Sequence, residues 1–394
     1  MSGEAALVYD DALTEYNFGP QHPLDPVRLK LTIDLADRLG VLAGLHVLEP
    51  WVADDELLRT VHTPGYVTAV RAAGTDPYAI DPDPETGLGS PDNPAFAGMH
   101  TASARIVGAS VEAARSVWRG EYLHAGNIAG GLHHAMPESA AGFCIYNDPA
   151  IAIQWLLDAG CGKVAYVDND VHHGDGVQRI FYHDPRVLTI SLHETPRTLF
   201  PGISGFPTEI GGPGAEGTAV NVALPAATTD EEWLRAWHAV VPPLVHAFEP
   251  AVLVSQHGCD SHTLDPLAHL TLSVDGQRAA ASATHDLAHQ VCEGRWVVTG
   301  GGGYALAEVV PRTWTHLLAI MAGAPLEPAT PTPPEWRAAA ERICVPPAPS
   351  SMSDGRPGTY TEWSRGYDPA DQVDQAVLAT RRAVFPANGL MLDA

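Results

Sequence analysis

Residues 167–177 read VDNDVHHGDGV and hold more carboxylates and imidazoles than a solvated turn requires. If this segment is extended, alternate residues face the same side, so Asp168, Asp170 and His172 share one face. Zinc binds nitrogen and oxygen ligands, and a catalytic site keeps one position open, so a third protein ligand is needed. Asp260, after the apolar run AVLVSQHGC, is the best candidate. Taken alone, that aspartate is better explained as a strand-terminating cap, and short Asp and His patterns occur by chance in loops.

Two adjacent histidines, His133 and His134, follow two glycines in the segment GNIAGGLHHAMPESAAGFCIYND. One histidine there would usually be structural. Two adjacent histidines, with the carboxylates of Asp168 and Asp175 available elsewhere in the chain, suggest His–Asp pairs in which a carboxylate fixes the tautomer of each imidazole. Two carboxylates and one imidazole largely neutralise a zinc ion. Its water should therefore be less acidic than in a three-histidine site, where the pKa falls to about 7, and a separate base is expected. A histidine dyad can accept that proton and also protonate the leaving amine of an amide.

Tyr304 follows four glycines in TGGGGY, at the end of a predicted strand. Its phenol could donate to the oxyanion of a tetrahedral intermediate. Glycine runs are more often turns or phosphate cradles, but this one lacks the lysine of a P-loop and a dinucleotide fingerprint. Cys259 directly precedes Asp260 and is either an alternative zinc ligand, an oxidation-sensitive neighbour or, more ordinarily, a buried filler thiol.

The elements that must position these residues alternate between strands and helices. Four apolar runs rich in Val and Ile predict buried parallel strands: KVAYVDND, RVLTISLHE, AVLVSQHGCD and RWVVTGGGGY. Between them, Asp148 as N-cap with Pro149 in the first turn predicts a helix that stops at Gly160, and Thr229 with Glu232 predicts a capping box. This alternation indicates an α/β layer architecture, whose ligands bind at the carboxyl ends of the strands.

Composition places limits on the kind of protein. The 394 residues are 45% hydrophobic, enough for one catalytic domain with an appendage. The chain shows neither an apolar run of the roughly 18–20 residues that cross a membrane nor the pattern of a secretion signal, so we expect a cytoplasmic protein. Five scattered cysteines without CxxC spacing argue against a disulfide framework. The formal charge of −25 disfavours nucleic acid and anionic lipid and favours cationic partners, although solubility explains it equally well.

Seven segments occur in the order and approximate spacing found in the histone deacetylase family, and the chain most resembles its bacterial acetoin-utilization-type members. The segments are HPLDPVRLKLT, GGLHHA, GFCIYND, DNDVHHGDGV, SLHETPRTLFPG, QHGCDSHTLDPL and GGGGY. The resemblance implies an arginase/deacetylase fold, a three-layer α/β/α architecture around a central parallel sheet of eight strands. The match covers about residues 5–325, so we expect a catalytic domain over residues 1–325. The composition then shifts to the proline-rich stretches PLEPATPTPPEW and VPPAPSSMSDGRPG, so we expect residues 326–394 to be a proline-rich extension packed on or near that domain.

The resemblance also implies a role for each candidate residue. The zinc ligands would be Asp170, His172 and Asp260, with ferrous iron as the alternative metal. The dyad would be His133 paired with Asp168 and His134 paired with Asp175, while Tyr304 polarises the acetyl carbonyl. A structural potassium ion would lie beside the zinc, held by Asp168, Asp170, His172, the Ser191 hydroxyl and the Leu192 carbonyl.

A narrow tunnel down to the metal is implied as well. Its wall would contain Gly142, Phe143, Phe200 and Leu267, with Asp92 as a carboxylate at the rim. Asn169 departs from the family, whose members often carry an apolar residue there. Because Asn169 should face away from the metal, we expect little catalytic consequence.

The expected reaction is zinc-dependent hydrolysis of the acetyl amide of Nε-acetyl-lysine in proteins or peptides, giving lysine and acetate. The alternative is a small-molecule deacetylase of the same fold that acts on acetylpolyamines. Arginase-like hydrolysis ranks low because it uses a two-manganese site with more carboxylates. A non-catalytic reader would be expected to lose Tyr304 or a dyad histidine. The expected partners are an acetylated protein, a peptide or a cationic small molecule; the oligomeric state stays open.

Overall fold

A parallel sheet of eight strands is the centre of the molecule. The structure is a computed structural model that describes residues 5–344 and 347–392. Within these ranges the strands are β1 Ala5–Val8, β2 His46–Leu48, β3 His124–Asn127, β4 Val164–Asp168, β5 Val187–Glu194, β6 Ala219–Leu224, β7 Val252–Gln256 and β8 Trp296–Thr299. They lie in the order β2-β1-β3-β8-β7-β4-β5-β6, and every pair is parallel. The four strands expected from the Val- and Ile-rich runs are β4, β5, β7 and β8.

Helices cover both faces of the sheet, as parallel strands require. They are α1 Val27–Arg38, α2 Asp55–Leu58, α3 Pro64–Thr75, α4 Met99–Trp118, α5 Asp148–Asp158, α6 Asp175–Phe181, α7 Asp230–Phe248, α8 Val274–Val291, α9 Val310–Met321, α10 Pro334–Ala340 and α11 Gln372–Val384. One row contains α1, α9, α8, α7 and α11 packed in that order, and the other contains α3, α4, α5 and α6. Short 3-10 helices occur at 11–15, 42–44, 77–79, 363–365 and 386–388. This arrangement confirms the predicted three-layer α/β/α fold.

One of the two predicted helix starts is confirmed, and the other begins one residue earlier than predicted. The capping box of Thr229 and Glu232 is present at the start of α7. The N-cap of α5, however, is Asn147 and not Asp148, because the Asn147 side chain accepts from the backbone N–H of Ala150. The carboxylate of Asp148 is used elsewhere, in the loop that precedes the histidine pair.

Two expected strand ends also lie earlier than the sequence suggested. β4 ends at Asp168, and β7 ends at Gln256, four residues before Asp260. Asp170, His172 and Asp260 therefore belong to loops that leave the carboxyl ends of two adjacent strands. Such loops have more freedom than a strand to turn side chains toward one point.

The segment after residue 325 contributes α10 and α11, which the proline-rich composition did not predict. The Trp336 side chain of α10 is fully buried and donates from Nε1 to the carbonyl of Leu31 at 2.9 Å. α11 packs against β6 and α7. Residues 345–346 of the second proline-rich stretch, and the ends 1–4 and 393–394 of the two predicted domains, lie outside the described residues. Among the described helices, none is long and apolar enough to cross a membrane.

Candidate active site

Four adjacent strands, β3, β8, β7 and β4, deliver the candidate site residues at one edge of the sheet. The loop after β3 holds the histidine pair, and the loop after β4 holds Asp170 and His172. Asp260 follows β7, and Tyr304 follows β8. The structure thus brings together residues that are far apart in the chain.

Asp170, His172 and Asp260 form a buried cluster of potential metal ligands, with one donor atom of each within 4.8 Å of the others. Nδ1 of His172 lies 3.2 Å from Oδ1 of Asp170 and 3.2 Å from Oδ2 of Asp260. Ligand atoms about 2.0–2.2 Å from a common tetrahedral ion are roughly 3.3 Å apart. The donor set and its spacing therefore fit a zinc-sized divalent cation.

The surroundings of the cluster combine close backbone packing with buried negative charge. A Cβ atom on Gly302 would lie 1.9 Å from Oδ2 of Asp260, so only glycine permits this close approach. Burial and the neighbouring charge of Asp170 raise the pKa of Asp260 to about 6. Burial opposes protonation of His172, but hydrogen bonds to Asp170 and Asp260 raise its pKa to about 10. Two buried carboxylates this close favour a positive charge between them, either a proton on His172 or a bound cation.

His133 and His134 form the expected dyad, with their Nε2 atoms 3.0 Å apart. Nδ1 of His133 is 2.8 Å from Oδ2 of Asp168, and Nδ1 of His134 is 2.7 Å from Oδ1 of Asp175. An ionised carboxylate only accepts, so both Nδ1 atoms carry hydrogen and both Nε2 atoms face one another and the cavity. All four side chains are buried.

The two imidazoles have opposite proton affinities. Burial opposes the charge on His133, but the carboxylates of Asp168 and Asp170 outweigh it and raise its pKa to about 9. Burial, and then the charge of His133, lower the pKa of His134. At neutral pH the dyad therefore holds one extra proton, on His133, and His134 is the unprotonated partner.

Two residues at the start of α5, Asn147 and Asp148, form hydrogen bonds with the loop that carries this dyad. The carboxylate of Asp148 accepts from the backbone N–H groups of Gly131, at 3.1 Å, and Leu132, at 2.9 Å. The Nδ2 group of Asn147 donates to the carbonyl of His133 at 3.2 Å. These bonds explain why Asp148 does not cap its own helix.

A cavity of about 200 Å³ reaches His134 of the dyad and His172 of the ligand cluster. Its lining consists of Asp92, His134, Gly142, Phe143, His172, Leu199, Phe200, Leu267 and Tyr304. The ring of Phe200 contacts His134 edge to face at 4.9 Å between centroids, and Phe143 contacts Tyr304 in the same way at 5.7 Å. A Cβ atom on Gly142 would lie 2.3 Å from the His134 ring, which explains glycine at that position. All the predicted tunnel residues therefore line one cavity.

The remaining candidates lie beside the site. Ser191, in β5, has its hydroxyl 2.8 Å from Nδ1 of His193 and 3.5 Å from the backbone nitrogen of Gly174. Leu192 is buried in the same strand and pairs with Val222. Cys259 is not among the described residues whose donor atoms form the ligand cluster, and burial raises its pKa well above the usual range. The structure therefore favours the interpretation of Cys259 as a buried filler thiol.

Several supporting residues were not predicted from the sequence. Gln256 donates from Nε2 to Oδ2 of Asp170 at 2.7 Å, and the hydroxyl of Tyr166 donates to Oδ2 of Asp168 at 2.8 Å. Asp265 accepts from the backbone N–H of Tyr304 at 2.8 Å. Alternation along β4 places Tyr166 on the same side as Asp168, whereas the position of Gln256 depends on the pairing of β7 with β4. Neither residue type by itself indicates metal chemistry.

Comparison with known proteins identifies the class that this fold and site define. Residues 22–321 match the model of the histone deacetylase domain. The chain belongs to the histone deacetylase family and, as such, is a deacetylase, a hydrolase that acts on amide bonds.

Two bacterial relatives and two solved structures are similar to most of the chain. The chain is 40% identical over 351 residues to the acetoin utilization protein AcuC of Bacillus subtilis, covering 89% of this chain and 90% of that one. It is 36% identical to AcuC of Staphylococcus xylosus, covering 90% and 92%. Among solved structures, an HDAC homolog complexed with SAHA aligns with a TM-score of 0.84 and 26% identity over 96% of this chain and 100% of that one. An HDAC homolog from Aquifex aeolicus gives 0.82 and 27% over the same shares.

Proposed function

We propose that this deacetylase uses zinc to hydrolyse the acetyl amide of Nε-acetyl-lysine in proteins or peptides, releasing lysine and acetate. The observation that carries the proposal is the cavity of about 200 Å³ that Phe143 and Phe200 line together with His134 of the dyad and His172 of the ligand cluster. An unbranched aliphatic stem suits a passage between two aromatic rings, and the acetyl group would then lie beside the polar residues.

The proposed roles follow from the proton positions in the site. A bound zinc ion would polarise the acetyl carbonyl and lower the pKa of water. His134, the unprotonated imidazole, accepts the proton of the attacking water as its oxygen bonds to the acetyl carbon. The C–N bond then breaks, and the dyad returns a proton to the leaving amine, so the pair ends as it began. Asp168 and Asp175 hold the two rings in the required tautomer.

Tyr304 is the proposed donor to the oxyanion. Its ring is held against Phe143, at the wall of the cavity that contains His134 and His172. Burial and the carboxylates of Asp260 and Asp170 raise the pKa of Tyr304 well above its usual value, so the phenol keeps its proton at neutral pH. A protonated phenol at this wall can donate to the charge that develops on the carbonyl oxygen.

A structural potassium ion beside the zinc is also proposed. Support comes from the buried hydroxyl of Ser191, which lies near Gly174, the neighbour of the dyad partner Asp175. β4 and β5 pair Asp168 directly with Ser191, so the two proposed ligands are adjacent across the sheet.

One observation favours the acetylpolyamine alternative. Asp92 lines the cavity, and the formal charge of the chain is −25, so a second ammonium group on a small substrate could bind a carboxylate there. A peptide backbone amide could donate to the same carboxylate. The residue therefore does not decide between the two substrates.

Acetate release decides between them. We expect zinc-loaded protein to release acetate from an Nε-acetyl-lysine peptide with a kcat/KM at least tenfold above that for acetylputrescine or acetylspermidine, and chelated protein to release none. The variant Asp92→Asn, compared with Glu293→Gln on the exposed surface, shows how much of either activity depends on the carboxylate. A preference for the polyamines would reverse the assignment, and no turnover of any of the three would contradict both.

A further inference from the structure

Three histidines form a second cluster outside the active site, where one nitrogen of each lies within 4.8 Å of the others. His124 is the first residue of β3, while His285 and His289 are one turn apart on α8. The Nε2 atoms of His124 and His289 are 3.1 Å apart. Imidazoles at i and i+4 on one helix face can bind the same ion, and imidazole nitrogen is a preferred ligand of zinc, copper and nickel.

The orientation of the His124 ring is an independent indication. Its Nδ1 lies 2.8 Å from the carbonyl oxygen of Met321, at the end of α9. A carbonyl only accepts, so Nδ1 carries the hydrogen and Nε2 directs its lone pair toward His289. A backbone carbonyl that fixes the far nitrogen in this way is the usual support of a metal-binding histidine.

His285 is oriented by a hydrogen bond, and both His285 and His289 have defined packing. Nδ1 of His285 is 3.2 Å from Oδ1 of Asp286, which leaves Nε2 of that ring as an acceptor. The indole of Trp296 packs edge to face against His124, at 5.6 Å, and against His285, at 5.7 Å. A Cβ atom on Gly294 would lie 2.8 Å from Cε1 of His289, so glycine leaves the space that this ring occupies.

Burial decreases across the cluster from His124, which is 2% exposed, through the half-buried His285 to the exposed His289. An ion could therefore enter from solvent and keep a water in its fourth position. His289 lies in the last turn of α8, where the helix carbonyls favour a cation. The acidic chain as a whole also attracts cations.

We propose that His124, His285 and His289 bind a divalent transition metal, zinc by preference, at a structural site separate from the catalytic one. His124 opens β3, whereas the dyad follows the other end of that strand, so the two sites lie at opposite edges of the sheet. The ion would join α8 to β3 and, through Met321, to the end of α9. It stabilises the folded chain because it binds the native arrangement and not the unfolded one.

Metal stoichiometry tests the proposal without depending on activity. Tag-free protein, stripped with a chelator and dialysed against zinc, should contain two zinc ions per chain by elemental analysis. The double variant His285→Ala/His289→Ala should contain one, as should Asp260→Ala, and the triple variant should contain none. The matched control His46→Ala, an exposed histidine of β2, should keep two.

A second measurement separates a lost site from a damaged fold. Zinc added to stripped Asp260→Ala should raise its melting temperature, and the same addition to the triple variant should not. The single variant His289→Gln, at an exposed position, should show the loss of the second ion with an unchanged circular dichroism spectrum. One zinc per chain in the wild type, or a second zinc that survives in His285→Ala/His289→Ala, would overturn the proposal.

Discussion

At the scale of single residues, Tyr304 shows how the site keeps a neutral acid beside two anions. The carboxylates of Asp170 and Asp260 oppose a phenolate, and burial opposes it more strongly, so the pKa rises well above the usual value. The backbone of Tyr304 is held at the same time, because its N–H donates to Asp265 at 2.8 Å. The residue is therefore prepared as a hydrogen-bond donor before substrate binds.

Replacing Tyr304 by phenylalanine should lower kcat by about 10²–10³-fold, since it removes a donor that acts chiefly in the transition state. The ring and its contact with Phe143 remain, so KM and zinc content should change little. Steady-state kinetics on an Nε-acetyl-lysine peptide, with elemental analysis of the same sample, would measure both. A near-normal kcat would show that the phenol is not the oxyanion donor.

The sequence predicted the aspartates, histidines and tyrosine of the candidate site and missed the residues that hydrogen-bond to them. Each aspartate or histidine alone has an ordinary explanation as a cap or a structural residue, so the informative signal was their combination with the tyrosine after successive apolar strands. Gln256, in contrast, is a common polar residue whose amide becomes important only because β7 lies beside β4, where it meets Asp170 at 2.7 Å. Sheet order cannot be read from local patterns.

At the scale of elements, α11 is anchored by a buried ion pair. Arg235 of α7 lies 2.7 Å from Oδ1 of Asp374 through Nε, and 2.9 Å from Oδ2 through Nη2. Further donors of Arg235 bind the carbonyls of Thr361, Glu362 and Gly366. We propose on these contacts that residues 326–394 are an extension that stabilises the catalytic domain.

The substitution Asp374→Ala should lower the free energy of unfolding by about 3–5 kcal/mol, because it leaves the guanidinium of Arg235 buried without its carboxylate. Glu293→Ala is the matched control: its ion pair with Arg295 is exposed and should cost less than about 1 kcal/mol. Urea unfolding of both variants gives the comparison. Equal losses would contradict the anchoring role.

The helices of this extension could be recognised only in part. Asp371 caps α11 through the backbone N–H of Val373, and apolar residues recur along QVDQAVLATRRAV, so a helical signal was present. The prolines that precede it favour irregular structure, so no helix was predicted there. Where α11 packs depends on β6 and α7, which are far away in sequence.

At the scale of the whole molecule, several buried histidines are kept neutral. Burial lowers the pKa of His62 and His316 to about 4, and that of His257 to about 3. Unfolded histidine titrates near pH 6.5. The stabilisation from these neutral rings is complete above that pH and is lost as the pH falls toward the folded values. His133 and His172 have raised pKa values, so their contribution is constant below pH 6.5.

We therefore expect the free energy of unfolding to fall between pH 6.5 and pH 4, by about 1.4 kcal/mol per pH unit for each such histidine, less the opposite contribution of Asp148, Asp260 and Asp265, whose pKa values burial raises to about 6, 6 and 7. Urea midpoints at pH 7, 6 and 5 would measure the slope, which counts the protons taken up on unfolding. A flat profile over this range would show that these histidines take up no more protons on unfolding than the buried carboxylates release.

The order of the strands has a consequence for synthesis on the ribosome. β8, the last strand of the described chain, lies between β3 and β7, and until it emerges the sheet consists of two separate parts. The proposed metal ligands Asp170, His172 and Asp260 then belong to one part and the histidine dyad to the other, so the candidate site is complete only after β8 joins the two parts. At about 5–20 residues per second, the edge of β7 that faces β8 stays unpaired for several seconds and that of β3 for roughly ten to thirty seconds. Unpaired strand edges of this kind can pair with other chains, so the risk of aggregation is raised during the interval before β8 emerges.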